Sequence, residues 1–127
     1  MRIGFFGDLH AKITTPRCRT DKYDETIKRK FYDIIDILNA EGCDILIEAG
    51  DFFDDHKQPY HLTNWFIETL KSCWACARMY GVAGQHDMVN HTLKMDNTPF
   101  QTLVNSETLF MLREVPVVFP HPNGKEV

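Results

Sequence analysis

The stretch DILIEAGDFFDDH, residues 44–56, changes from apolar to acidic at Gly50. A short apolar run closed by glycine is typical of a strand that is buried on both faces of a parallel sheet. The run RIGFFG at residues 2–7 has the same character, and MYGVAG at 79–84 is a third candidate. Each run leads directly into polar residues, so the sequence predicts three buried strands with polar groups at their carboxyl ends.

Amphipathic helical patterns separate the predicted strands. Between residues 22 and 41, apolar side chains recur every three or four positions, and Gly42 follows the last turn. A second helical pattern begins after Pro59 and carries both tryptophans, Trp65 and Trp74. Strands that alternate with helices of this length form βαβ units around a parallel sheet. The predicted fold class is therefore α/β.

The remaining sequence has shorter elements. Pro99 is expected to open a short helix through FQTLV, residues 100–104. The runs TLFML at 108–112 and VPVVF at 115–119 are interpreted as two more strands. The final PHPNGKEV, residues 120–127, is predicted to be a loop.

The composition indicates one compact domain over residues 1–127, with 43% hydrophobic and 25% charged residues. No apolar run approaches the roughly 20 residues that span a bilayer, and the first residues do not form a secretory signal, so a cytoplasmic location is expected. The four cysteines are expected to be reduced, with Cys73 and Cys76 packed in a helix. A net charge of −4 gives no overall positive field toward nucleic acid, although carboxylates that bind cations also make a composition acidic.

Ligand-type side chains follow the three predicted strands. They are Asp8 and His10 after the first, Asp51 and Asp54 after the second, and Gln85, His86 and Asp87 after the third. Because the carboxyl ends of parallel strands lie at one edge of a sheet, these groups are expected to converge. Taken singly, each motif is more often a helix cap or a turn. Their joint occurrence after three glycine-terminated strands favours a shared site.

Carboxylate and imidazole ligands suit manganese, iron, zinc or a similar divalent ion. Asp8 and His10 are two residues apart in a segment expected to be extended, which turns both toward one ion and Leu9 toward the core. Asp51 has two oxygens and is able to bridge two ions. Two such ions would clamp the attacking and leaving oxygens of a phosphate ester and lower the pKa of a shared water. The residues therefore indicate phosphoester hydrolysis.

The three motifs resemble the calcineurin-like metallophosphoesterase superfamily, whose pattern is DxH, GDxxD and GNHD, followed by a lone His and GHxH. The matching segments here are GDLH at 7–10, GDFFD at 50–54 and GQHD at 84–87. The helix lengths and the long first loop are most similar to the SbcD-type DNA-repair exonuclease subunit. The resemblance implies an α/β fold that is the N-terminal half of a metallophosphoesterase β-sandwich with flanking helices.

By resemblance, two divalent metal ions would be bound, with manganese expected first and iron, zinc or magnesium as alternatives. Asp8 and His10 would hold the first ion, and Asp51 would bridge to the second. The family has Asn where this chain has Gln85, whose amide oxygen lies one methylene further out. Gln85 is still predicted as a ligand, and a weaker second ion is the expected consequence.

The resemblance also assigns catalytic roles. His86 would face the substrate phosphate or the leaving oxygen, and Asp87 would orient the His86 imidazole. Asp54 would be a supporting group near the loop.

The later part of the family pattern, the lone His and GHxH, has no match in this sequence. His121 is the only histidine after His91, and its neighbours do not fit the pattern. The chain is therefore interpreted as the N-terminal part of a catalytic domain. It would be a fragment, a split-gene product or a truncated reading frame, or its remaining ligands would come from another chain.

Four further residues are candidates for substrate contact: Arg17, Arg19, His56 and His91. With Lys22, the two arginines give the first loop a positive patch that suits a DNA backbone, and solvated loop charge is the ordinary alternative. The two histidines are equally consistent with exposed loop or turn positions.

The leading hypothesis is a divalent-metal-dependent phosphodiester hydrolase, a DNA exonuclease acting in repair or recombination. The first alternative is a phosphoprotein phosphatase or small-nucleotide phosphodiesterase, and the second is a catalytically inactive interaction domain. The resemblance implies DNA as substrate, a homodimer and an SMC-like ATPase partner. The lack of a bilayer-spanning apolar run predicts no membrane association.

Overall fold

The computed structural model describes residues 1–73 and 78–119 of the chain. Within these ranges, strands alternate with helical segments along the chain. The strands are β1 (Ile3–Phe6), β2 (Ile45–Glu48), β3 (Arg78–Gly81) and β4 (Phe110–Met111). The α-helices are α1 (Tyr23–Ala40), α2 (Tyr60–Cys73) and α3 (Pro99–Asn105), and a 3-10 turn covers Val89–His91.

The strands form one sheet in the order β1-β2-β3-β4, and every neighbouring pair is parallel. One row of paired residues crosses the whole sheet: Phe5, Ile47, Tyr80 and Phe110. Each connection between neighbouring strands contains a helix, as parallel pairing requires. The predicted α/β fold class is confirmed, and the carboxyl ends of the strands lie at one edge of the sheet.

Local sequence signals explain where the helices begin. Pro99 starts α3, and the Thr98 side chain accepts a hydrogen bond of 3.1 Å from the backbone N–H of Gln101. Asp24 and Glu25 lie in the first turn of α1, where negative charge is favourable near the exposed N–H groups. The helices predicted from the sequence at 22–41, after Pro59 and after Thr98 are therefore confirmed.

An aromatic cluster fills the space between the helices and the sheet. Phe31 of α1 and Phe66 of α2 pack edge to face with ring centroids 5.0 Å apart, and Phe52 lies 4.9 Å from Phe66. These rings and that of Phe53 are fully buried. Burial of each such side chain stabilises the fold by about 1.5–3 kcal/mol. The two phenylalanines that directly follow Asp51 therefore anchor the loop that carries it.

The opposite face of the sheet is left open by the described residues. Ile3 and Phe5 of β1 are 49% and 72% exposed, because the core cluster forms on the other face, around Leu46 and Met79. The expectation that β1 is buried on both faces is therefore wrong for this structure. On the open side, Phe119 packs against Tyr80 with ring centroids 4.8 Å apart.

The C-terminal part differs from the prediction in one element. β4 lies inside the predicted strand at 108–112, whereas residues 115–119 form no strand in the described part of the chain. Pro116 removes a backbone donor from that segment, which disfavours its pairing in a sheet. Some predictions concern positions outside the described residues: Trp74, Cys76, His121 and the loop at 120–127.

The described cysteines, Cys18, Cys43 and Cys73, are free thiols, and Cys43 is the buried one. No helix in residues 1–73 and 78–119 is long and apolar enough to cross a membrane. The cellular location expected from the sequence stays a prediction.

Two phenylalanines test which face of the sheet is buried. We expect Phe31→Ala to lower the free energy of unfolding by about 3–5 kcal/mol, because its fully buried ring leaves a cavity in the aromatic cluster. The matched change Phe5→Ala should cost less than about 1 kcal/mol, because that ring is 72% exposed. Urea denaturation of both variants measures the difference, and equal losses would mean that the open face is covered in solution.

Candidate metal centre

Three candidate ligands meet at the edge of the sheet where β1 and β2 end. One ligand atom each of Asp8, His10 and Asp51 lies within 4.8 Å of the others. Backbone pairing continues past the strands and holds them there: Asp8 N–H donates to the Gly50 carbonyl at 3.1 Å, and His10 N–H donates to the Asp51 carbonyl at 3.0 Å. The convergence expected for these three residues is therefore observed.

The backbone of all three residues is in the left-handed region. The φ angles are 53° at Asp8, 47° at His10 and 56° at Asp51. The expectation of an extended segment from Asp8 to His10 was wrong, although Leu9 between them is buried as expected. Such conformations cost on the order of 1 kcal/mol or more per residue and persist where the surrounding structure fixes them. The backbone pairing to Gly50 and Asp51 holds the loop after β1 in this conformation.

His86 belongs to the same site. Its backbone N–H donates to Asp51 Oδ1 at 2.9 Å, and its ring lies 5.0 Å from the His10 ring. The His86 Nδ1 atom is 3.0 Å from the backbone carbonyl of Asp54. Because a carbonyl oxygen only accepts, Nδ1 carries the proton in this contact, and Nε2 is left for other partners.

Asp87 has a different role from the one expected. Its buried carboxylate accepts the backbone N–H groups of Phe52 at 3.2 Å, Phe53 at 2.9 Å and Gly84 at 3.0 Å. The His86 ring is bonded to Asp54 instead, so the predicted orientation of that ring by Asp87 is not observed. Asp87 ties the loop after β3 to the loop after β2. Burial raises the pKa of this carboxyl, while the backbone donors oppose the shift.

Asp54 connects three side chains of the site. Its Oδ2 accepts a hydrogen bond of 2.8 Å from Lys12 Nζ, and its Oδ1 lies 3.6 Å from His10 Nδ1. Its backbone carbonyl holds His86, as described above. The supporting role expected for Asp54 agrees with these contacts. Lys12 was missed by the sequence analysis because a single lysine after a DxH motif carries no spacing signal.

Glu48 is a second residue that the sequence analysis missed. It is the last residue of β2 and is fully buried. Oε1 accepts the backbone N–H of Gly50 at 2.8 Å, whereas Oε2 has no hydrogen-bond partner among the described residues. Burial raises the pKa of Glu48 to about 8, and nearby Asp87, Asp51 and Asp8 add to the effect. An acidic residue inside an otherwise apolar strand is the sequence feature that could have identified Glu48 as a candidate.

A cleft of about 480 Å³ opens beside His86. It is lined by two loops, and the lining residues are Asp54, Asp55, His56, Gln85, His86, Met88, Asn90 and His91. His91 is oriented by donating Nδ1–H to the Gln85 carbonyl at 3.0 Å. Two of the candidate substrate contacts, His56 and His91, are thus brought next to His86.

The two arginine candidates lie apart from this cleft, on the first loop. Arg19 pairs with the Asp21 carboxylate through two hydrogen bonds of 2.7 and 2.8 Å, and its guanidinium lies 5.1 Å from the Tyr23 ring. This pairing holds the pKa of Asp21 well below its usual range. Arg17 is exposed. Both arginines are exposed, and Arg19 is the one with a carboxylate partner.

The donor set fits a divalent metal ion. Two carboxylates and an imidazole are ligands that manganese, iron and zinc accept. The three candidate ligands are held close together despite backbone strain, and His10 Nε2 lies 3.8 Å from Asp8 Oδ1. A bound cation would also offset the repulsion among Asp8, Asp51 and the buried acids.

A family model described as calcineurin-like phosphoesterase matches residues 1–122. No curated protein matches the chain.

Gly84 is expected to be essential for this geometry. A Cβ at position 84 would overlap the backbone nitrogen and the carboxylate of Asp51, so Gly84→Ala must displace a ligand. We expect a loss of about 3 kcal/mol in the free energy of unfolding and the loss of Mn²⁺ binding, measured by denaturation and calorimetry.

Gly42→Ala is the matched control for this change. A Cβ there has no neighbour within 4 Å, and only its φ of 62° opposes alanine. Gly42→Ala should lower the free energy of unfolding by about 1–2 kcal/mol and leave Mn²⁺ binding intact. Normal metal binding by Gly84→Ala would contradict the close approach of Gly84 to Asp51.

Glu48 should make stability depend on pH. Its pKa rises from an ordinary 4.5 when unfolded to about 8 when folded. The stabilising contribution of its protonated form is therefore complete below pH 4.5 and is lost as the pH rises toward 8. Without added metal, the free energy of unfolding of Glu48→Gln should exceed that of wild type by on the order of 2–4 kcal/mol at alkaline pH. The difference should disappear at acidic pH.

Urea denaturation in EDTA across this pH range measures the effect. Glutamine retains the acceptor for the Gly50 N–H, so the variant removes the charge and keeps the contact. The exposed Glu68→Gln serves as the control and should follow the wild-type curve. Parallel curves for Glu48→Gln and wild type would disprove the buried-acid assignment.

Proposed function

The chain belongs to the calcineurin-like phosphoesterase family, and from that membership we propose that it is a metal-dependent phosphodiester hydrolase whose substrate is DNA. The observation that carries the proposal is the grouping of Asp8, His10 and Asp51 within 4.8 Å, with His86 hydrogen-bonded to Asp51. Carboxylates and imidazoles from separate strand ends, held in strained backbone, are typical of a hydrolytic metal site.

Asp8, His10 and Asp51 would hold the metal, and Gln85 is the further ligand that we propose. When bound, divalent ions supply charge stabilisation to a phosphate ester and lower the pKa of water. The Gln85 carbonyl accepts the Nδ1–H of His91, and Gln85 lines the same cleft as His86. Manganese is the ion we propose to test first, because oxygen and imidazole donors suit it.

His86 is proposed to act on the oxygen that leaves phosphorus. Its Nδ1–H is held by the Asp54 carbonyl, so the ring has a fixed direction and Nε2 is the atom that exchanges a proton. In the imidazolium form, Nε2 carries a proton that can be donated to the departing oxygen. Asp87 contributes at a distance by holding together the two loops that bear Asp51 and His86.

DNA is proposed as the substrate from the resemblance to SbcD-type subunits and from Arg17 of the first loop, an exposed cation that suits the phosphates of a nucleic-acid backbone. Arg19 and Lys22 of the same loop are paired with Asp21 and Glu25. Exonuclease activity, a homodimer and an SMC-like ATPase partner follow from the resemblance to SbcD-type subunits and stay predictions. Ligands from another polypeptide, one of the alternatives given above, also stay a prediction.

Two conservative variants test the assigned roles. Asp51→Asn keeps the acceptor for the His86 N–H and tolerates the left-handed backbone, so it removes mainly the charge. We expect it to abolish Mn²⁺ binding and Mn²⁺-dependent cleavage of linear duplex DNA. His86→Asn should retain Mn²⁺ binding within a few-fold and lower kcat by about 100-fold or more.

Asp36→Asn is the matched control, because Asp36 is an exposed aspartate in the C-terminal half of α1. Wild-type activity in both Asp51→Asn and His86→Asn would reject the mechanism. Parallel assays with bis-p-nitrophenyl phosphate and a phosphopeptide separate the alternatives. Hydrolysis of the phosphopeptide without DNA cleavage would favour a phosphoprotein phosphatase, and Mn²⁺ binding without any hydrolysis would favour an interaction domain.

A further inference from the structure

Asp54 is the point where the two histidines of the site are joined. Its carboxylate lies 3.6 Å from His10 Nδ1, and its backbone carbonyl accepts the His86 Nδ1 proton at 3.0 Å. The first distance is longer than the normal range of about 2.7–3.2 Å for a hydrogen bond, so this contact is electrostatic and does not by itself fix the carboxylate. Another group must therefore fix the Asp54 carboxylate.

Lys12 is that group. Its Nζ donates to Asp54 Oδ2 at 2.8 Å, and both side chains are partly buried, which strengthens a charge-assisted hydrogen bond. On its other side, the Lys12 ammonium lies 5.8 Å from the centre of the Tyr23 ring. The Tyr23 hydroxyl donates to the His10 carbonyl at 3.4 Å. Lys12 is thus held between an aromatic ring and a carboxylate that both contact the metal-site residues.

We propose that Lys12 is a positioning residue, which holds Asp54 and through it sets the orientation of both His10 and His86. The Asp54 N–H already donates to the Ala11 carbonyl at 3.2 Å, so residues 11 and 12 secure Asp54 by backbone and by side chain. Loss of the ammonium frees the carboxylate to rotate and weakens the restraint on the carbonyl that holds His86. The role of Lys12 in hydrolysis rests on the proposed function, but its effect on the histidines does not.

A direct contact between Lys12 and substrate phosphate is the competing role. An ammonium that binds substrate would change KM and leave the free protein unaltered. An ammonium that positions Asp54 changes the histidines before any substrate or metal is present. The two roles are therefore separable by experiment.

The test is ¹⁵N NMR of the histidine rings in the full chain, without metal or substrate. Wild type should show His86 as the Nδ1–H form. Lys12→Met should show a mixture of both His86 tautomers. Lys12→Arg, which keeps the positive charge, should show the Nδ1–H form as wild type does. Lys28→Met is the matched control, because Lys28 is a half-buried lysine whose ammonium lies 5.5 Å from the Trp65 ring.

Metal binding and catalysis provide the second measurement. We expect Lys12→Met to weaken Mn²⁺ binding about tenfold and to lower kcat with little change in KM, as loss of a group behind the ligands does. An unchanged His86 spectrum in folded Lys12→Met, or a rise in KM alone, would overturn the proposal.

Asp54→Ala provides an independent test if Lys12→Met does not fold. It removes the carboxylate that Lys12 binds, preserves the backbone carbonyl of residue 54, and should produce the same mixture of His86 tautomers. A wild-type His86 spectrum in Asp54→Ala would also overturn the proposal. Because these spectra require no turnover, a protein that fails to cleave DNA would still report on Lys12.

Discussion

The candidate site depends on parallel backbone pairing that continues beyond the ends of β1 and β2. The ladder of the two strands is extended by hydrogen bonds from Asp8, His10 and Ala11 to the carbonyls of residues 50–52. Because this pairing fixes both loops against each other, Asp8, His10 and Asp51 are held in left-handed conformations that a free loop would avoid. The buried phenylalanines after Asp51 keep the second loop in place.

Buried carboxylates form a second layer beneath this pairing. Asp87 accepts three backbone N–H groups and joins the loops after β2 and β3, while Glu48 supports Gly50 from inside the sheet. Burial raises the pKa of both acids, so their ionised forms oppose folding. A cation at Asp8, His10 and Asp51 would relieve that cost. Stability and metal binding are therefore expected to be coupled in this protein.

The order of elements and the positions of the metal-site candidates were readable from local sequence. Glycine after each apolar run, Pro99 and the helical spacing of α1 are short-range signals, and the structure follows them. The strand predicted at 115–119 failed because an apolar pattern alone overlooks the missing donor of Pro116. The exposure of Phe5 could not be predicted from the sequence. The same short apolar run is found in strands with both faces covered and in strands with one open face.

By itself, the sequence established an α/β chain with acids and histidines at three strand ends, because glycine-terminated apolar runs depend on neighbouring residues only. The tertiary structure alone decided which groups touch. In the structure, Asp87 accepts hydrogen bonds from backbone N–H groups and not from His86. Lys12 is hydrogen-bonded to Asp54, which lies 42 positions away in the chain. Those pairings follow from the register of parallel strands, which brings together residues far apart in sequence, and no local pattern encodes that proximity.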